Sequence, residues 1–239
     1  MRFAWFAFIH DPDDASMQVS DADFRFVCEV VRSTHGLSKG LVFTPWDVRD
    51  LYFDDGVAPQ LALQLYFEDI EDLESALAPD GHLHALAAPD ALPSLAGAAR
   101  EQQAMLARAF PVPDPEFRTP PGEPYCTYLV HYPGEAEDVS AWLAHYLANH
   151  TRIMATFPAI REVEVCSRLD WCGALPWPRI DHMQRNKVVF DDGDALKAAM
   201  TSSVMQDMRA DFHTLPPFTG GNRHYPMKTV AVDPDTGGK

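Results

Sequence analysis

Two kinds of pattern alternate along the chain. Short runs dense in apolar side chains, such as residues 2–9 and 60–67, have the length of buried strands. Longer stretches in which apolar positions recur every three or four residues predict amphipathic helices. In order, the chain predicts a strand at 2–9, a helix at 21–34, strands at 40–43 and 60–67, and a second helix starting near Glu68-Asp69. After a proline-rich stretch the order returns: a strand at 125–132, a helix at 137–156, strands at 163–167 and 182–190, and a helix near Asp191-Asp192. A last strand at 225–232 follows the Gly220-Gly221 turn.

The return is in register. Phe67 aligns with Phe190, Glu68-Asp69 with Asp191-Asp192 and Leu73 with Leu196, all at an offset of 123. The same offset sets His35-Gly36-Leu37 against Pro158-Ala159-Ile160 and the strand at 2–9 against that at 125–132. The sequence therefore reads as two tandem units, 1–97 and 123–239, with 98–122 as a semi-rigid joint. Each unit has the β-α-β-β-α-β order of a ferredoxin-like α+β fold. Leu61, Leu63, Leu65 and Phe67 share one face of their strand, and Ala62 and Tyr66 the other. A sheet apolar on both sides needs helices on one and a second sheet on the other.

The units differ where chemistry is expected. Gln184 and Asn186 stand where the first unit has Leu61 and Leu63, His182 where it has Pro59, His131 where it has Phe8 and His150 where it has Val27. Burying such groups without partners costs about 1–3 kcal/mol each, so several at core-equivalent positions predict a cavity in the second unit. Trp142, Tyr146 and His150 recur at i+4 on one helix face, which places His150 over the strand carrying His182 or His131. His182 is the first choice for general acid or base, His150 the second, and His131 is preferred to Tyr128 as a cavity residue. Gln184 and Asn186 are expected to bind a carbonyl or phenol oxygen. Trp171 and Trp177 are expected in a lid loop, and His224 and Tyr225 at the rim of the cleft. His82-x-His84 lacks carboxylate company, so no metal site is expected.

The run His145-Tyr146-Leu147-Ala148-Asn149-His150, then Phe157-Pro158-Ala159-Ile160, resembles the EthD family pattern of a Tyr-rich helix, a His and a Pro-Gly-Leu-like break. Asp181-His182, Val188 to Asp192 and Ala195-Leu196 are similar to that family's third strand and second helix. The resemblance implies a dimeric α+β barrel, in which two ferredoxin-like units pair sheet to sheet, here joined in one chain. Relatives of that kind include isomerases, cyclases, cofactor-free oxygenases and haem enzymes.

Composition narrows the rest. With 46% hydrophobic and 23% charged residues the chain is globular, not disordered. Thirty-five acidic against 19 basic side chains give a charge of −16, which disfavours nucleic acid and anionic membrane partners. The apolar N-terminal run is too short to span a bilayer. Cys28, Cys126, Cys166 and Cys172 show no zinc spacing and read as buried thiols of a cytoplasmic protein. No nucleotide, serine-hydrolase or zinc-protease motif occurs. The expectation is a cofactor-independent lyase, isomerase or cyclase acting on a small aromatic or conjugated carbonyl compound in a catabolic pathway. The alternatives are an oxygenase of the same barrel, cofactor-free or with haem on His150, His182 or His224, and a non-catalytic ligand-binding protein. A homodimer is left open.

Overall fold

The apolar runs become eight strands in the computed structural model, which describes residues 2–46 and 55–235. They are β1 (Arg2–His10), β2 (Leu37–Pro45), β3 (Leu61–Phe67), β4 (Ala99–Phe110), β5 (Tyr125–Tyr132), β6 (Glu162–Arg168), β7 (Gln184–Phe190) and β8 (Arg223–Val232). Among the described residues the α-helices are α1 (Asp21–Arg32), α2 (Ile70–Ala76), α3 (Val139–His145), α4 (Thr151–Met154), α5 (Gly193–Met200) and α6 (Val204–Phe212). Helix starts are fixed by side-chain caps: Ser20 accepts from the Asp23 amide, Asp138 from Ala141 and Asp192 from Ala195.

The strands close one antiparallel barrel in the order β1-β3-β2-β8-β5-β7-β6-β4, with β4 returning to β1. The orders β4-β1-β3-β2 and β8-β5-β7-β6 are alike, each that of a split β-α-β unit. Two seams join them, β2 with β8 and β4 with β6. The barrel therefore closes within a single chain, as a mixed α+β fold.

Strand β4 lies inside the segment read as the joint, which shortens the true connection to residues 111–124. Its signal was masked by Gln102 and Gln103, whose polarity argues against a buried strand. Both are satisfied by loop carbonyls: Gln102 Nε2 donates to Trp177 O at 2.8 Å and Gln103 Nε2 to His182 O at 2.9 Å. The helix expected at 137–156 is interrupted by a π turn at Tyr146–His150 between α3 and α4. α6 had no counterpart in the sequence reading.

Strand alternation divides the core into three. Trp5, Ile9, Leu61, Leu63, Leu65 and Phe67 pack outward against α1 and α2. Tyr128, Val130, Tyr132, Val163, Val188 and Phe190 pack outward under the helices of the second half. Phe6, Phe8, Leu41, Phe43, Tyr66, Leu129 and Met227 fill the barrel interior. The offset pair Gly36 and Ala159 share a left-handed backbone, with φ of 74° and 59°. Glycine takes that conformation freely; alanine does not. Cys126 and Cys166 are buried as expected, whereas Cys172 is exposed and Cys28 half-buried. No helix among the described residues is long and apolar enough to cross a membrane.

Candidate functional site

Between the outer face of β5, β7 and β8 and the surrounding helices lies a cavity of about 350 Å³. Its floor is Tyr128, Val130 and Tyr132 on β5, Asn186 and Val188 on β7, and His224 on β8. Tyr146, His150 and Met154 descend from the π turn and α4; Met200, Met205, Met208 and Phe212 come from α5 and α6. Thioethers and aromatic rings make most of this wall, a surface that adapts to flat apolar ligands. Arg209 and His213, both exposed, stand at its rim.

The polar groups are few and mutually held. The π turn sets the rings of Tyr146 and His150 4.6 Å apart. Tyr146 Oη donates to Asn186 Oδ1 at 2.9 Å, and His150 Nδ1 lies 2.7 Å from Asp211 Oδ2 on α6. A carboxylate can only accept, so Nδ1 carries the proton and Nε2 keeps its lone pair. Burial lowers the His150 pKa below the ordinary 6.5, against the opposing hydrogen bond and charge of Asp211, so the ring is neutral at pH 7. Burial pushes the Tyr146 hydroxyl well above 10, and it stays a phenol. His224 forms a second pair: its Nδ1 and its backbone amide both lie 2.8 Å from Asp55 Oδ2. Burial acts to raise the Asp55 carboxyl, and the hydrogen bonds and charge of His224 outweigh it, leaving it below its usual value. Asp55 belongs to the first half of the chain, so the cavity is not the work of the second half alone.

The residues expected to converge are divided by the sheet. His150, Tyr146, Asn186 and His224 reach the cavity. Trp142 is buried behind it, stacked on Tyr146 with ring centroids 5.1 Å apart. Gln184 is fully buried on the same face. His131 and Tyr225 turn into the barrel interior, where their rings lie 5.3 Å apart and His131 also meets Phe8 at 5.0 Å. Tyr128, not His131, lies on the cavity floor, because the even-numbered residues of β5 face the helices and the odd-numbered ones the barrel interior. The strand expected at 182–190 begins only at Gln184, so His182 lies in the preceding loop and not on the face of Gln184 and Asn186; its ring sits 5.7 Å from His131. Burial and the charges of Arg185 and Arg223 lower His182 to about 3. Trp171 and Trp177 form no lid. Trp177 stacks on Trp5 at 6.1 Å in the first half's outer core, and Trp171 packs beside that core under Arg179.

Asp211, Asp55 and the methionines were not singled out from sequence. Asp211 and Asp55 lie 61 and 169 residues from the histidines they hold, and no local pattern marks such pairs. Among the described residues no group of three His, Cys, Asp or Glu side chains is placed to hold a metal.

Barrel closure, strand order and a cavity under the helices place the chain in the dimeric α+β barrel class of folds. An anthrone oxidase-like protein has this fold at 10% identity, with 98% of this chain and 94% of that one covered and a TM-score of 0.62. A monooxygenase-like protein of Fusobacterium nucleatum matches at 10% identity, 100% and 95% coverage and a TM-score of 0.56. An EthD family protein of Bacillus halodurans is 18% identical over 40% of this chain and 94% of its own, with a TM-score of 0.32. No family model and no curated protein sequence matches the chain.

Proposed function

We propose that this cavity binds a small aromatic or conjugated carbonyl compound and that His150 moves a proton within it. The carrying observation is the His150–Asp211 bond at 2.7 Å beside the Tyr146–Asn186 bond at 2.9 Å. A buried neutral imidazole, fixed by a carboxylate at Nδ1, presents Nε2 as a base for a phenol or a C–H beside a carbonyl. Asn186 accepts from Tyr146 through its oxygen, and among the described residues its amide hydrogens meet only the Met154 sulfur, 3.7 Å away. Those hydrogens suit an oxygen that gains negative charge as the proton leaves. The proton returns to a different atom from the same imidazole or from His224. The reaction is then an isomerisation, cyclisation or elimination that uses no cofactor.

The proton-transfer reading uses no haem: of the three histidines that could ligate one, His150 and His224 line the cavity and His182 does not. Purified protein is expected to show no Soret band.

The test begins with a thermal-shift screen of phenols and unsaturated carbonyl compounds. Proton NMR of each binder in D2O then follows exchange of its acidic C–H. Exchange catalysed by the native protein and lost in His150→Gln is expected; full exchange with that variant rejects the assignment.

The polarizable wall of Met154, Met200, Met205 and Met208 favours a second reading, in which the deprotonated ring reacts with dissolved O2. A CH2 group would become a carbonyl, and the second oxygen atom would leave as water. The fold neighbours' names, anthrone oxidase-like and monooxygenase-like, agree with it. Oxygen uptake in step with substrate loss distinguishes it from the first.

A further inference from the structure

The barrel interior has a polar content of its own, on the opposite face of the sheet from the cavity. Lys187 Nζ donates to Tyr66 Oη at 2.9 Å and lies 3.2 Å from Glu162 and 3.8 Å from Glu164. Tyr66 and Gln64 both donate to Glu164 Oε1 at 2.7 Å. Lys39 lies 3.6 Å from Glu162 and Arg2 lies 3.9 Å from Glu164. Three cations thus share two carboxylates before the next residue inward, Arg185, is counted.

Arg185 is only 2% exposed. Its Nε donates to Gln103 Oε1 at 3.3 Å, and its Cζ stands 4.3 Å above the Phe8 ring. Nη1 and Nη2 are buried and have no hydrogen-bond partner among the described residues. No described carboxylate lies within ion-pair distance of them. Beside the guanidinium is a void of about 10 Å³, whose polar lining is Gln64, His131, Glu164, Asn186 and Lys187 together with Arg185. Nearby, His182 Nδ1 is also buried without a partner among the described residues.

The size of the void admits one water or one monatomic ion. A water would take hydrogen bonds from Arg185 and give one to Gln64 Oε1, a buried oxygen without a partner among the described residues. Leaving that oxygen unmet costs about 1–3 kcal/mol. Glu164 on the wall of the void is paired with Lys187, and Glu101 acts on Arg185 only from beyond ion-pair distance. A buried ionised group with no paired counter-charge costs several kcal/mol, of which the Phe8 face recovers about 2. The charge is the larger of the two demands, and water does not meet it. We propose that the void beside Arg185 is a binding site for a single monatomic anion of the chloride and bromide class, held by Nη1 and Nη2.

Thermal unfolding in chloride, with gluconate making up a constant ionic strength, tests the site. Above saturation each tenfold increase in chloride should raise Tm by about 3–5 °C. Arg185→Met, which keeps the length of the side chain and removes its charge, should abolish that dependence. A crystal soaked in bromide should show an anomalous peak within hydrogen-bond distance of Nη1 or Nη2, and this reading stands on the native protein should the variant fail to fold. Equal Tm in the two salts, an undiminished chloride effect in Arg185→Met, or water density with no bromide peak would each overturn the proposal.

Discussion

Asp211 Oδ2 and His150 Nδ1 meet at 2.7 Å across 61 residues of chain, and the contact ties α6 to the π turn. The carboxylate fixes the imidazole tautomer, and its charge works against the burial that lowers the histidine pKa. Replacing His150 by Gln should lower turnover by about 10²–10⁴-fold, the usual worth of a positioned base. The neutral ring is the active form, so activity should be lost as pH falls through a pKa below 6.5. Asp211→Asn removes the group that raises that pKa, and the acid limb of the kcat profile should move to still lower pH. A limb that stays in place, or moves upward, assigns it to another group.

His131 and His182 are held neutral by burial, His182 down to about 3. The unfolded chain binds their protons near pH 6.5, so the native state is at a disadvantage below that value and at none above it. Stability should fall between pH 6.5 and 5 with a slope of up to about 1.4 kcal/mol per pH unit for each such ring. His131→Phe, which places in β5 the residue found at position 8 of β1, should flatten the slope. Denaturant titrations at pH 7 and pH 5 measure it, and an identical slope in the variant refutes the assignment.

Ala159 holds a left-handed backbone that an L side chain adopts at a cost of about 1–2 kcal/mol. Glycine occupies the matching position 36. Because glycine also has more freedom to lose on folding, Ala159→Gly should stabilise the protein by a net ~0.5–1 kcal/mol. An unchanged or lowered midpoint in denaturant would show that no strain is stored there.

Trp177 is packed on Trp5 on the far side of the barrel from the cavity. Trp177→Ala should therefore cost about 3–5 kcal/mol of stability and leave ligand affinity unaltered. A selective loss of affinity with full stability would restore the tryptophan to a lid.

Strand periodicity and the offset of 123 made the two-sheet arrangement legible, because a strand apolar on both faces has few ways to be covered. The substitution of Val27, Leu61 and Leu63 by His150, Gln184 and Asn186 likewise pointed to the outer face where the cavity lies. What was not legible depended on absolute facing and on partners far away in sequence. His131 against Phe8 is a real difference between the halves, but it lies on the inner face. His182 follows no strand period because it precedes its strand. β4 is hidden in the sequence because glutamines satisfied by loop carbonyls look like surface residues until the loops are in place.

Strand β7 turns Gln184, Asn186 and Val188 toward the helices and Arg185, Lys187 and Val189 into the barrel. One ribbon thus serves two compartments in alternation, with the backbone as the partition. Even-numbered positions can be rebuilt to change what the outer pocket accepts while the odd-numbered ones keep the barrel closed. For an engineer the two faces are independent dials, and a library that randomises only every second residue of β5 and β7 would sample new ligands without touching the scaffold's charge balance.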